Sequence, residues 1–171
     1  YTGVVNPTAF ATAKKTKSGR IGVIGTAATI NSHSYKARLE KLNPDFKVFE
    51  KACPLFVPLV ENGLIHKDDQ IVRLTIKRYL LELVENDIDT LILGCTHYPL
   101  LAEAISSVIG NSIELIDSGY ETAIYAQKVL KEENLLNNSA EKGTSAFYVS
   151  DTPDDFENIA GLFLGKDMEH T

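Results

Sequence analysis

Cys95, Thr96 and His97 bring a thiol, a hydroxyl and an imidazole into three consecutive residues, preceded by Gly94 and followed by Tyr98-Pro99-Leu100. The apolar run Ile88 to Leu93 reads as a buried parallel strand, and Leu101 to Ile105 reads as the start of a helix. The three groups therefore fall where a strand ends and a helix begins. Open α/β sheets hold their ligands at that edge, and peptide N–H groups at a helix start bind anions and favour a thiolate. Gly94 leaves space for a ligand to approach the backbone, and Pro99 suits a first helical turn because its missing N–H costs nothing there.

Each residue also has a plainer reading. Cys95 is either a reactive thiol or a small buried hydrophobe. His97 is either a group that polarises the thiol or a helix-start histidine bonded to a carbonyl. Tyr98 reads as packing. Cys53, in Lys51-Ala52-Cys53-Pro54-Leu55-Phe56, reads as an unreactive core thiol. Glu61 ends an apolar segment ahead of Asn62-Gly63; it either sits at a solvated helix end or turns back to set the state of His97. Gly22-Val23-Ile24-Gly25-Thr26 is neither a dinucleotide fingerprint nor a Walker loop, so Thr26 and Thr29 read as turn and cap residues. Asp117-Ser118-Gly119 repeats that arrangement after another strand, with capping as its default role. His33, His66, His97 and His170 have no metal-site spacing, and no metal is expected.

The elements that position these groups alternate. Strands are expected over 20–25, 46–49, 88–93, 113–116 and 146–149. Residues 26–29 read as a turn, and helices are expected over 32–42, 67–85, 120–135 and 153–164, with a short helix or turn over 54–61. In the 67–85 segment, Val72, Ile76, Tyr79, Leu80 and Leu83 share one face. The alternation predicts an α/β fold, a parallel sheet with helices on both faces. The chain has 171 residues, 44% hydrophobic and 23% charged, which is enough for one full domain or for one domain plus part of another. A net charge of -6 gives no support to nucleic-acid binding, and no apolar run approaches membrane-spanning length. Two distant cysteines in a chain that otherwise reads as cytosolic are expected to stay reduced.

Gly94-Cys95-Thr96-His97-Tyr98-Pro99-Leu100 closely resembles the second catalytic-cysteine motif of bacterial glutamate racemases. Gly22 to Ile30, Ala52 to Gly63 and Glu114 to Gly119 are similar to further segments of that family in the same order, and the resemblance runs from about Gly3 to Leu164. Aspartate racemases usually carry a glutamate where this chain has His97, which points to the glutamate branch. The resemblance implies a cofactor-independent reaction in which two cysteines face opposite sides of the substrate α-carbon. Cys95 matches the cysteine that serves the L-enantiomer, His97 the residue that assists it, Glu61 the carboxylate that orients the histidine, and Thr96 a contact to the substrate carboxylate; Gly94 and His97 are expected to join Thr96 in binding substrate.

The family's other cysteine lies in an Ala-Cys-Asn-Thr segment of an N-terminal half that this chain does not contain, and Cys53 matches a non-catalytic position. The chain is therefore expected to be the C-terminal portion of a longer racemase and inactive alone. The resemblance implies one complete domain over 8–118 carrying the Cys95 half-site. Residues 119–171, with 1–7, would be the C-terminal piece of a second, pseudo-symmetric domain. Apolar surface left uncovered there would need a neighbouring chain, and a homo-oligomer, a dimer, is expected. Two further readings stand beside this one: a racemase or isomerase of another acid on the same fold, and a non-catalytic α/β module holding a small anion.

Overall fold

The computed structural model describes residues 2–137, 139, 143–144, 148 and 160–164. They fall into two compact units, 1–129 and 130–171. In the first unit, β1 (Arg20–Gly25), β2 (Lys47–Ala52), β3 (Thr90–Leu93) and β4 (Glu114–Asp117) form one sheet in the order β2-β1-β3-β4, with every pairing parallel. Helix α1 (Val5–Lys15) precedes the sheet; α2 (Ala27–Asn31) and α3 (Ser34–Leu42) join β1 to β2. Helices α4 (Phe56–Glu61) and α5 (Gln70–Glu85) join β2 to β3, α6 (Ala102–Ile109) lies between β3 and β4, and α7 (Ser118–Glu132) follows β4.

Strand side chains alternate between faces. Ile21, Val23 and Ile92 pack with Ala9 of α1 and with Tyr35 and Leu39 of α3. Ile24, Leu91 and Leu93 enter the opposite core with Phe56, Ile76, Leu80 and Ile105. Burial on both faces explains why the strands read as continuous apolar runs rather than alternating ones. Helix α5 buries Val72, Ile76, Leu80 and Leu83, the face expected from its period, with Tyr79 partly buried beside them. Its N-terminus is capped by Asp69, whose carboxylate accepts from the amides of Ile71 (2.7 Å) and Val72 (3.2 Å). Among the described residues no helix is long and apolar enough to cross a membrane.

Several boundaries differ from expectation for identifiable reasons. Residues 27–31, expected partly as a bare turn, form α2, and the helix expected from Ser32 starts at Ser34. His33, at φ 50, sits in the left-handed region and breaks the ladder between the two. Strand β2 runs on to Ala52 because its pairing with β1 continues to Gly25. Helix α1 was not expected at all. Its buried face is Pro7, Thr8, Ala9 and Thr12, which carries little hydrophobic signal. The threonines become core residues by returning their hydroxyls to carbonyls four residues back, Thr8 to Val4 (2.6 Å) and Thr12 to Thr8 (2.8 Å). In the second unit, α7 ends at Glu132 rather than Leu135, followed by a left-handed Asn134. The strand expected over 146–149 and most of the helix expected over 153–164 lie outside the described residues; 160–164 are helical.

Asp89 ties the entry of β1 to the entry of β3. Its carboxylate accepts from the Thr16 hydroxyl (2.7 Å), the Lys17 and Ser18 amides and the Thr90 hydroxyl (2.8 Å). Burial opposes ionisation, but those hydrogen bonds outweigh it and hold the carboxyl well below the usual carboxylate range. With the folded value depressed, the stabilisation is complete above the unfolded aspartate pKa of about 3.9. It is lost as pH falls from there toward the folded value. Asp89→Ala should lower unfolding free energy by about 1–3 kcal/mol near neutral pH. In urea titrations the gap to the parent protein should narrow below about pH 4.

Candidate active site

The carboxyl ends of all four strands meet at one edge. Gly25 pairs with Ala52, Ile24 with Leu93, and Leu93 with Asp117. The chain leaves β1 toward β2 on one side, then returns to add β3 and β4 on the other, so the topology reverses between β1 and β3. That reversal opens the crevice where α/β sheets bind ligands. Gly25-Thr26 and Gly94-Cys95 are the residues that reach it.

Cys95 is half-buried and free, at the margin of the core under α4 to α6. The segment after it is not immediately an α-helix. Tyr98–Leu101 forms a 3-10 turn with Pro99 in its first positions, and α6 starts at Ala102. A tight turn of this kind is a common prelude to a helix. Tyr98 N donates to Cys95 O at 3.2 Å, which bends the chain over directly after the thiol. Tyr98 is completely buried, as a packing residue should be. Its hydroxyl donates to Cys53 O at 3.0 Å and its ring meets Phe56 edge-on, centroids 5.2 Å apart. Burial pushes the Tyr98 phenol well above its ordinary value.

The Phe56–Tyr98 contact seats α4 against the 3-10 turn and brings their ends together. Glu61, the last residue of α4, lies with Oε1 3.4 Å from His97 Nε2. The other ring nitrogen, Nδ1, lies 3.3 Å from Thr96 Oγ1. His97 thus bridges the carboxylate and the hydroxyl, its side chain 21% exposed against 43% for Glu61. The structure brings Glu61 to the imidazole and also leaves it at an exposed helix end. Both contacts are long for hydrogen bonds. The pair is open to solvent, where an ion pair adds at most about 1 kcal/mol.

Gly94 has a reason the sequence did not reveal. A Cβ there would lie 2.7 Å from Ile24 O and 3.2 Å from Tyr35 Cε2. Close packing against β1 and α3 accounts for the glycine without any ligand. Tyr35, 2% exposed, reads in sequence only as part of a helix; its spacing with Leu39 at i, i+4 is the available signal for a sheet-facing residue. Thr26 and Thr29 serve α2 as expected: Thr26 Oγ1 accepts from Thr29 N at 3.3 Å. Among the described residues no group of three His, Cys, Asp or Glu side chains converges as a metal site would.

A covered parallel sheet with a thiol, a hydroxyl and an imidazole at its switch point defines an α/β domain, with those groups at the edge where such sheets bind ligands. Residues 2–125 match the Asp/Glu/Hydantoin racemase family, and the chain belongs to that family. It is similar to the glutamate racemase of Persephonella marina, 48% identical over 167 residues that cover 97% of this chain and 60% of that protein. The glutamate racemase of Geobacter metallireducens is 44% identical over 163 residues, 95% of this chain and 60% of that one. Among solved structures, a glutamate racemase isoform from Bacillus anthracis superimposes with a TM-score of 0.90 at 41% identity, covering 97% of this chain and 61% of that one. The Francisella tularensis glutamate racemase, solved in complex with D-glutamate, gives 0.87 at 34% identity, with 98% and 60% covered. The chain thus spans about 60% of the length of the curated relatives it matches.

The two thiols should separate chemically. Cys53 is fully buried, and burial pushes its thiol up to about 12, while Cys95 is half-buried at the crevice. Iodoacetamide at mildly alkaline pH should label Cys95 at least about tenfold faster than Cys53, read by peptide mass spectrometry. Equal rates would contradict this geometry.

Proposed function

We propose that this chain is the C-terminal part of a glutamate racemase and carries one of its two proton-transfer faces. The observation that supports this most is the Cys95-Thr96-His97 turn at the sheet's switch point, with Glu61 3.4 Å from the imidazole, in a family member 48% identical to a glutamate racemase. Cys95, as thiolate, takes the α-proton of L-glutamate. The electron pair left on the α-carbon delocalises into the α-carboxylate, and a thiol from outside this chain gives a proton to the opposite face. The product is D-glutamate, and the two sulfurs exchange protonation states. In the reverse direction Cys95 is the donor.

The other site residues act on that exchange. Thr96 donates its hydroxyl to the substrate carboxylate, with the Gly94-Cys95 backbone as the floor. His97 assists the sulfur's proton transfer, and Glu61 orients the ring. The reaction needs no cofactor, because both transfers use protein groups. D-glutamate made this way supplies peptidoglycan synthesis in the cytoplasm. The intact enzyme is a homo-oligomer, a dimer, whose contacts cover apolar surface exposed here. A racemase of another acid is the alternative that a substrate panel on the intact protein excludes or supports.

In the intact protein, Cys95→Ala should lower turnover of L-glutamate by at least about 10²–10⁴-fold. His97→Ala should lower it by roughly 10–100-fold, with Glu61→Gln milder still. In D2O, early product should carry deuterium at the α-carbon while remaining substrate stays protonated, read by NMR. Measurable racemisation by the 171-residue chain alone would contradict the two-thiol account.

A further inference from the structure

Ser118 lies in the Asp117-Ser118-Gly119 turn, yet its hydroxyl does not cap the helix it opens. Asp117 does that, its Oδ1 accepting from the amides of Gly119 (2.8 Å) and Tyr120 (3.1 Å). Ser118 Oγ turns back into the protein and donates to Leu93 O at 2.9 Å. Leu93 stands two residues before Cys95. Tyr35 completes the support: its ring edge lies against Gly94, and its hydroxyl lies near the side chains of Ser118 and Thr8. Ser118, Tyr35 and Thr8 are 6%, 2% and 0% exposed, so water does not compete.

The protons can be counted. Thr8 Oγ1 donates to Val4 O and Ser118 Oγ donates to Leu93 O. The Tyr35 proton is then the one left for the two hydroxyl oxygens. The Thr8 and Ser118 protons are therefore committed to backbone carbonyls, which fixes the direction of those two bonds. Burial pushes the Tyr35 phenol up from its ordinary value, and the nearby Ser118 and Thr8 hydroxyls oppose this only in part.

We propose that Ser118 and Tyr35 are positioning residues for Cys95: the serine pins the carbonyl two residues before the thiol, and the tyrosine ring supports the peptide between them. This rests on reading Cys95 as an acid–base thiol. The direction of the sulfur is then set from beneath as well, by the β4–α7 junction and α3, and not only by the turn that follows it. Small displacements of a reacting group are expensive in rate, so loss of the pin should act on turnover more than on substrate binding.

The test compares Ser118→Ala, Ser118→Thr and Tyr35→Leu, which removes the ring edge at Gly94, with Thr8→Val, which removes a buried hydroxyl that donates to Val4 O, away from Leu93. In the intact protein, Ser118→Ala should lower kcat about tenfold with KM within about twofold, Tyr35→Leu about threefold, and Ser118→Thr should restore most of the rate. Thr8→Val should leave kcat within about twofold even where it lowers Tm as much as Ser118→Ala does. Amide hydrogen exchange should quicken about tenfold at Gly94, whose N–H donates to Ile24 O, in Ser118→Ala, with the amides of Leu91 and Ile92 unchanged. Equal loss of kcat in Thr8→Val and Ser118→Ala, or faster exchange throughout β3, would mean a merely structural role and overturn the proposal. So would unchanged kcat and unchanged exchange in Ser118→Ala. If the intact parent protein does not racemise glutamate, the functional reading falls, and the exchange arm alone decides this one.

Discussion

The hydrogen bond from Gly94 N to Ile24 O, 2.8 Å long, extends the β1–β3 ladder to the sheet's carboxyl edge. The strands approach so closely there that a Cβ on residue 94 would collide with the Ile24 carbonyl. Residue 94 is therefore glycine for reasons of packing, and residue 95 is the first to leave the ladder. The thiol is presented at the crevice because the backbone before it is held and the backbone after it is bent over by the Tyr98 amide. A parallel sheet supplies the edge, and the reversal of its winding between β1 and β3 supplies the opening.

Packing in the core under α4 to α6 decides which groups share that opening. Glu61 and His97 come from different elements, separated by helix α5 and strand β3 in the chain. They meet because Phe56 and Tyr98 interlock in the core and draw the end of α4 onto the 3-10 turn. The same interlock buries Cys53, whose carbonyl receives the Tyr98 hydroxyl. One aromatic contact thus makes the two cysteines of this chain chemically unequal: it helps seal one into hydrocarbon and anchors the turn that leaves the other facing the crevice.

Much of the fold was legible because apolar periodicity and turn residues report directly on local structure. The strands at 20–25 and 88–93, the helix built on Val72, Ile76, Leu80 and Leu83, and the Cys95 turn follow from pattern alone. Helix α1 was not legible, since its buried threonines look polar until their hydroxyls are seen returned to the backbone. The break at His33 was hidden as well, because a left-handed histidine has no marker in composition.

The candidate site divides the same way. Cys95, Thr96 and His97 are contiguous, and the sequence by itself determined that a thiol, a hydroxyl and an imidazole stand at the end of a buried strand. Their membership in a racemase family was likewise readable from linear motifs. Only the tertiary structure decided that Glu61 reaches the imidazole, that Gly94 is demanded by Ile24, and that Ser118 and Tyr35 lie beneath the thiol. Those relations join residues tens of positions apart, and their distances are set by how helices pack on a sheet. A one-dimensional pattern carries no record of such distances.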